Sequence, residues 1–406
     1  MDLSTFEEQL QGVRFDIHQP DGRVLRVGHD GPVIDWHIHS KRALQSLLKQ
    51  PERNLGHTYV KGEWDIDTLH LSTLIQTLVP RTESARRLRW STSLRRLLAS
   101  LPQLRRAPPQ PDWQDSSRWL SRICLGDELF AGCPHYGEPG ISLEQAQRTR
   151  CRNLVTRLRL GRGQRLLDLN AGWGALPLYL AEHVGVRITA LVSSREQLQF
   201  AHGEARRRGL DGSAHFRLGS LDQCRGRFDR ILASDVLQRY PEPVYNELFE
   251  RLETLLQDDG MIWLEVTGRS RGASLSNQWH QQQLPARHSQ PVPSDLSRAV
   301  EHTRLRTLVL QDLSDYRLQG LLAQAWRYHG KRAAISQRFG ESRTRHWEFL
   351  LASQITALQW EQLRQYALVL GNTHCRWPTD PTERLRGDAR LPVDIAQRIP
   401  GLARGI

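Results

Sequence analysis

Apolar and polar positions alternate through "VRFDIHQPDGRVLRVG" and "PVIDWHIHS", and the dipeptide Asp21-Gly22 interrupts the alternation. Period-two patterning broken by a turn dipeptide predicts short strands with one buried face. The stretch "SKRALQSLLKQ" then changes to helical spacing, so residues 1–75 read as a small α+β domain. Between residues 81 and 110 the pattern changes again. Leu94, Leu97, Leu98 and Leu101 recur three and four apart, and Arg86, Arg87, Arg89, Arg95, Arg96, Arg105 and Arg106 crowd the same segment. Two readings stand: a basic helix with Trp90 that lies on an anionic membrane surface, or a linker packing its leucines on the protein. The prolines of "APPQP" mark a boundary near residue 110, and residues 76–118 are taken as the linker.

Farther on, short apolar runs alternate with helical stretches. "RLLDL" (165–169), "RITALV" (187–192), "FDRILAS" (228–234) and "MIWLEV" (261–266) are separated by segments such as "ALPLYLAEHV" and "SREQLQFAHGEARRRG". That order predicts an α/β fold, a doubly wound parallel sheet with helices on both faces. The Ser-, Gln- and Pro-rich residues 271–295 read as a loop or lid, and "LLAQAWRYHGKRAAISQRFG" through "LRQYALVL" reads as a return to helix. One domain is thus expected over 119–372, with 373–406 as a C-terminal extension without clear periodicity.

Composition narrows the class. A chain of 406 residues, 39% hydrophobic, can bury at least one full core. It has no apolar run approaching the roughly 18 residues of a membrane span, and the acidic start "MDLSTFEEQL" does not resemble a signal peptide. A cytoplasmic protein is expected. Its five cysteines form neither a CxxC pair nor a ladder, so no disulfide framework and no metal are expected. The net charge of +12 rests on arginine, since only Lys41, Lys49, Lys61 and Lys331 are lysines. Such an excess attracts polyanions, and the arginine bias of a GC-rich genome would produce it equally well. Nucleic acid is not an expected partner, because no DPPY-type catalytic tetrapeptide accompanies the charge.

The chemistry concentrates in "RLLDLNAGWGALPLYLAEHVGVRITALVSS", residues 165–194. In a doubly wound sheet the ligand lies beyond the carboxyl ends of the strands, where the first loop turns into a helix. Gly172 and Gly174 would let a ligand approach the backbone, and the helix start favours negative groups. Asn170 occupies the first-glycine position; asparagine tolerates the left-handed conformation better than other non-glycine residues, so the turn is expected to survive with a side chain that intrudes. Asp168 is expected to order the loop. The second strand ends in "VSSREQ" rather than in the acid that would hold a dinucleotide ribose, which disfavours NAD.

These residues resemble the cyclopropane-fatty-acyl-phospholipid synthases and their mycolic acid relatives. "CPHYGEPGISLEQAQ" (133–147) is similar to the family's "SCAYF…SLEEAQ", "LDLNAGWGA" to "LDIGCGWGG", "VSSREQ" to "TLSxEQ", and "LGHTYVKGEWDIDTLH" (55–70) to "LGESYMDGxW". The region "FDRILASDVLQRYPEPVYNELFERLETLLQDDG" continues the match. The resemblance implies a class I methyltransferase (Rossmann-like) fold that binds S-adenosylmethionine and modifies unsaturated acyl chains of membrane phospholipids. It further implies an enzyme peripheral to the inner face of an anionic membrane. A homodimer is among the expected states, because the fold often pairs.

The resemblance also distributes roles. Tyr136, Asp168, Asn170, Gly172, Trp173, Gly174, Ser193 and Gln197 fall on cofactor-binding segments, although the family tyrosine near Tyr136 aligns with His135. In the family a bound bicarbonate removes the proton that closes the ring, held by a cysteine, a glutamate, a histidine and a tyrosine. The cysteine falls on Cys133, the glutamate on Gln238 and the histidine on Glu265. The tyrosine falls loosely near Tyr316, with Gln319 the better match. Glu265 would repel an anion, so bicarbonate binding of the family's kind is not expected. Either Glu265 is itself the base, as a carboxylate in an apolar acyl pocket suits proton transfer, or the pocket has left catalytic service. The two functional readings are accordingly an S-adenosylmethionine-dependent lipid methyltransferase with altered proton chemistry, and a catalytically impaired relative that binds lipid or a partner.

Overall fold

The computed structural model describes residues 12–28, 31–79, 117–270, 272, 273, 275, 277–284 and 290–377. The basic segment 81–110 with its leucines and arginines, and most of the C-terminal extension, lie outside the described residues. The chain divides into two compact units that interleave along the sequence. One takes residues 1–111, 271–286 and 321–363; the other takes 112–270, 287–320 and 364–406.

In the first unit, β1 (Arg14–His18), β2 (Val24–Val27), β3 (Val33–Ile38) and β4 (Trp64–Ile66) form a sheet of order β2-β1-β3-β4. The expected alternation is present: Phe15, Ile17, Ile34, Trp36 and Ile38 are buried, and Asp35 and His37 between them are exposed. Helices α1 (Lys41–Lys49), α2 (Pro51–Val60) and α3 (Leu71–Leu78) follow. Ser40 caps α1 by accepting from the Ala43 N–H, which fixes where the helix begins. Farther along the chain, the unit gains α9 (Gln278–Gln283), α12 (Arg332–Phe339) and α13 (Glu341–Gln359). Trp279 and Phe349 enter the same core as Trp36, Tyr59 and Trp64. Residues 271–295 are thus not wholly loop, because α9 lies within them. A sequence window sees neighbours along the chain, whereas Trp279 takes its helical place from packing far from it.

The second unit is built on a seven-stranded sheet of order β10-β11-β9-β8-β5-β6-β7. Its strands are β5 (Arg165–Asp168), β6 (Arg187–Val192), β7 (Ala214–Leu218), β8 (Phe228–Ser234), β9 (Leu256–Gly268), β10 (Arg306–Asp312) and β11 (Arg364–Gly371). β7, β6, β5, β8 and β9 pair in parallel, while β11 runs antiparallel to both β9 and β10. The four runs read as strands are β5, β6, β8 and β9. "LRQYALVL" is a correction, since it is strand and not helix: Gln365, Tyr366, Ala367, Leu368, Val369, Leu370 and Gly371 are buried in succession. A strand covered on both faces is apolar throughout and loses the alternation that would distinguish it from a buried helix.

Helices α5 (Leu143–Arg157), α6 (Ala175–Val184), α7 (Arg195–Arg207), α8 (Tyr245–Leu255) and α10 (Pro293–Glu301) pack in the cores of this sheet, and α4 (Arg118–Leu125) precedes them in the chain. α11 (Ser314–Gly330) follows β10. α5 opens on a full capping box in which Ser142 and Gln145 satisfy each other's backbone N–H groups. No helix among the described residues is long and apolar enough to cross a membrane.

Candidate functional site

The carboxyl ends of β5, β6, β8 and β9 bring together most of the residues singled out in the sequence. At the end of β5, Asp168 is buried, and its Oδ1 accepts the Asn170 N–H at 3.0 Å. Burial pushes its carboxyl up to about 6, against a partial lowering by that hydrogen bond and by Arg150. The loop is tied to β6 by the Ala171 N–H donating to Leu191 O at 2.9 Å.

Gly172 and Gly174 do different work. Gly174 has φ +83°, and a Cβ there would lie 2.9 Å from both the Ala201 Cβ and the Phe216 ring, so glycine is what lets α6 start this close to α7 and β7. At Gly172 a Cβ would meet nothing within 4 Å, which leaves the loop open on that side. Asn170 does not need the left-handed conformation, since it is not among the residues of positive φ. Its side chain supports the loop instead: Nδ2 donates to Ser234 O at 3.0 Å, and Oδ1 accepts from Arg239 Nη2 at 3.0 Å.

Trp173 is buried and points inward, its Nε1 donating to Ser121 Oγ of α4 at 3.0 Å and its ring set edge-on to Phe200. Its side chain holds the loop to α4. After β6, Gln197 is also buried, and its Oε1 accepts both the Ser193 N–H at 3.0 Å and the Ser193 hydroxyl at 2.8 Å. Ser194 caps α7 through the Gln197 N–H. This pair closes the β6–α7 turn. Tyr136 is half-buried, three residues beyond Cys133.

The ends of β8 and β9 carry charge. Ser234 and Glu265 lie side by side in register, and the Asp235 N–H donates to Glu265 O at 2.8 Å. Glu265 is fully enclosed, and its carboxylate meets Arg150 of α5, with Nη2 at 2.7 Å from Oε2 and Nε at 3.4 Å from Oε1. Arg150 also donates to Ala131 O at 3.0 Å and to Ser234 Oγ at 3.2 Å. A Cβ at Gly132 would lie 2.5 Å from Arg150 Nη2, so that glycine gives the guanidinium its passage. Glu265 therefore does not stand in an apolar pocket as expected; it is half of a buried ion pair. Such a pair holds its partners tightly because either one alone would be an uncompensated buried charge.

Asp235 is the strained member of the cluster. Its φ is +53°, unusual for a residue with a Cβ, and it keeps partial exposure. Gln238 donates from Nε2 to Asp235 Oδ1 at 2.8 Å, while the Gln238 Oε1 is buried without a hydrogen-bond partner. Burial raises the Asp235 carboxyl above the usual aspartate range, Glu265 adds to this, and Arg317 and Arg150 oppose it. Cys133 is buried, with Sγ 3.6 Å from Pro134 O and 3.7 Å from Leu313 O. Burial, and next the negative charge of Glu265, push its thiol far up, so it stays protonated. Next to it the His135 ring packs on Tyr316 at 4.5 Å, and burial and Arg157 lower the His135 imidazole to about 4. Of the two residues considered for the tyrosine position, Tyr316 meets the Cys133 segment and Gln319 is exposed.

Sequence reasoning missed Arg150 and Asp235. A signal for Arg150 was present: α5 buries Leu143, Ala146, Gln147, Arg150, Cys151, Leu154 and Val155, so an arginine sits in the apolar stripe and requires a buried acid.

A central parallel order β7-β6-β5-β8-β9 extended by an antiparallel β11, with a glycine loop at the first strand's end, defines the class I methyltransferase fold. The chain belongs to the mycolic acid cyclopropane synthetase family, whose model matches residues 112–365. It is 24% identical over 250 residues to the cyclopropane-fatty-acyl-phospholipid synthase of Escherichia coli strain K12, an alignment covering 58% of this chain and 62% of that protein. The chain thus spans about three fifths of the length of that relative. Among solved structures it resembles the cyclopropane synthase MmaA2 from Mycobacterium tuberculosis, with TM-score 0.61 and 16% identity over 64% of this chain and 95% of that one. The mycolic acid cyclopropane synthase CmaA1 complexed with SAH and CTAB gives TM-score 0.61 and 17% identity, covering 65% and 97%. S-adenosylmethionine is the cofactor of this family.

Proposed function

We propose that this protein is an S-adenosylmethionine-dependent methyltransferase acting on the double bond of unsaturated acyl chains in membrane phospholipids, with a rebuilt proton-abstraction site. The observation that carries the reading is the division at the sheet edge: Asp168, Ser193 and Gln197 order the β5 and β6 loops beside the open Gly172, while the β8 and β9 ends hold the buried Arg150–Glu265 pair.

The residues present fit the cofactor. Gly172 faces open space, and Asp168, Ser193 and Gln197 hold the two turns that would flank it. When bound, the cofactor supplies an electrophilic methyl group, which an alkene, a poor nucleophile, can attack. The methylated chain is then a carbocation, and it must lose a proton from the new methyl group for a ring to close. Glu265 cannot take that proton while it is enclosed and bound to Arg150. Asp235 is the better base: its carboxyl is held by the Gln238 amide rather than by a guanidinium, and its raised affinity for protons suits the transfer. Cys133 stays a thiol and acts here as packing beside the site. Bicarbonate has no role in this reading, because the acid at 265 takes the cation that could hold an anion.

The partners follow from the substrate. An anionic phospholipid surface fits a chain of net charge +12, and the basic residues 81–110 are the proposed contact. Incubation of the protein with methyl-labelled S-adenosylmethionine and monounsaturated phosphatidylglycerol vesicles tests the proposal. Label is expected in the acyl chains. Cofactor binding by calorimetry with no label in lipid would instead support the impaired, lipid-binding reading.

A further inference from the structure

We propose that the outward face of the N-terminal sheet holds a divalent transition-metal ion, Zn²⁺ or a metal of similar ligand preference, between His18, Asp35 and His37. The three side chains come from two strands that pair in parallel, with His18 directly opposite His37 and Asp16 opposite Asp35. Alternation sends Phe15, Ile17, Ile34 and Trp36 into the core and leaves these three on the water side.

The arrangement brings donor atoms together. His18 Nε2 lies 2.7 Å from Asp35 Oδ1, and the His18 and His37 rings stack at 4.2 Å with 15° between their planes. One ligand atom from each of the three lies within 4.8 Å of the others. Tetrahedral Zn²⁺ with bonds of about 2.0–2.2 Å requires donors about 3.4 Å apart, so the His18–Asp35 pair opens from 2.7 Å and the wider pairs, within 4.8 Å, close, changes that rotations of these side chains supply. Two imidazoles and a carboxylate are a ligand set this class of metal prefers, and the open water side leaves the fourth position to solvent.

The neighbouring charges do not compete for these donors. Arg14 and Arg26 are directed to Asp16, at 3.3 Å and 3.7 Å, and His39 is paired with Asp65 at 2.7 Å. The ion would bridge β1 to β3, neighbours joined through β2 by residues 19–32, and so would act by holding the sheet rather than by catalysis. The inference is independent of the methyltransferase reading.

The full-length protein, stripped with a chelator, is titrated with Zn²⁺ alone by calorimetry, and its thermal midpoint is recorded with and without the ion. The expected result is one site in the wild type that H18Q/H37Q weakens at least 100-fold, that D35N weakens by a smaller factor, and that H39Q leaves unchanged. The Zn²⁺-dependent rise in midpoint should vanish with the site. Equal isotherms for wild type and H18Q/H37Q would overturn the proposal, as would equal weakening by H39Q. Should the double variant fail to fold, D35N decides: a wild-type isotherm from that protein rejects the site.

Discussion

The two halves of the sheet's carboxyl edge are held together by different means. At β5 and β6 the odd residue, Asn170, is absorbed by hydrogen bonds to Ser234 and Arg239, and the loop keeps its glycines. At β8 and β9 the buried acid Glu265 is paired with a buried arginine from α5. A cofactor loop works largely through backbone shape, which several side chains can support. Proton chemistry depends on which groups can exchange a proton and which are locked in pairs. The second half therefore cannot change a residue without changing its role.

The largest effect expected from this contrast lies at Asp235. D235N should lower the rate of product formation by about 10²–10⁴, the usual contribution of a positioned base. Its cofactor dissociation constant should stay within about twofold, measured by calorimetry on the same preparation. Because burial raises the Asp235 carboxyl, the wild-type rate should climb with pH as that group loses its proton, and D235N should lose the climb. A larger loss of rate in a folded E265Q would return the base to β9.

Next comes the ion pair. R150M leaves Glu265 buried without its cation and should cost about 3–5 kcal/mol of stability, read from denaturant midpoints. R150M/E265L, which removes both charges, should recover most of that cost. If the double variant is as unstable as R150M, Arg150 acts through packing and its bonds to Ala131 and Ser234 rather than through charge.

A smaller effect belongs to the β5 end. Asp168 has its carboxyl raised to about 6 by burial. A raised folded pKa stabilises the fold below the unfolded pKa, and that contribution disappears as pH rises through the folded one. The wild type should therefore lose up to about 3 kcal/mol relative to D168N between pH 4 and pH 7, since asparagine keeps an Oδ1 acceptor without the charge. Midpoints that track each other across this range would show that water reaches Asp168.

Much of this was legible in the sequence, for reasons that differ by place. β5, β6, β8 and β9 stood out because each apolar run is bounded by a recognisable helix. β11 did not, because a strand buried on both faces shows no alternation. α9 and α13 join the first unit through Trp279 and Phe349, contacts that no local window contains. Within the candidate site, the residues of the glycine loop could be singled out by spacing, since the loop is contiguous. Arg150 and Glu265 are 115 residues apart, and only the pairing of two misplaced charges, one in the α5 stripe and one in "MIWLEV", could have joined them. His18 and His37 were hidden in the same way, as partners across two strands.

The smallest expected effect is the sharpest test of the comparison. In N170G the side chain that bonds Ser234 O and Arg239 is removed and the family's glycine returns. Losing two partly exposed hydrogen bonds and adding backbone freedom should cost about 1–2 kcal/mol of stability. The cofactor constant should change by less than about threefold, because the Asn170 amide is engaged with the β8 end rather than left free over the loop, and Gly172 remains open. Tightening by tenfold or more would mean that Asn170 obstructs the cradle. The side chain at 170 would then limit the cofactor directly, and the contrast between a loop set by backbone shape and a strand edge set by charge would fail.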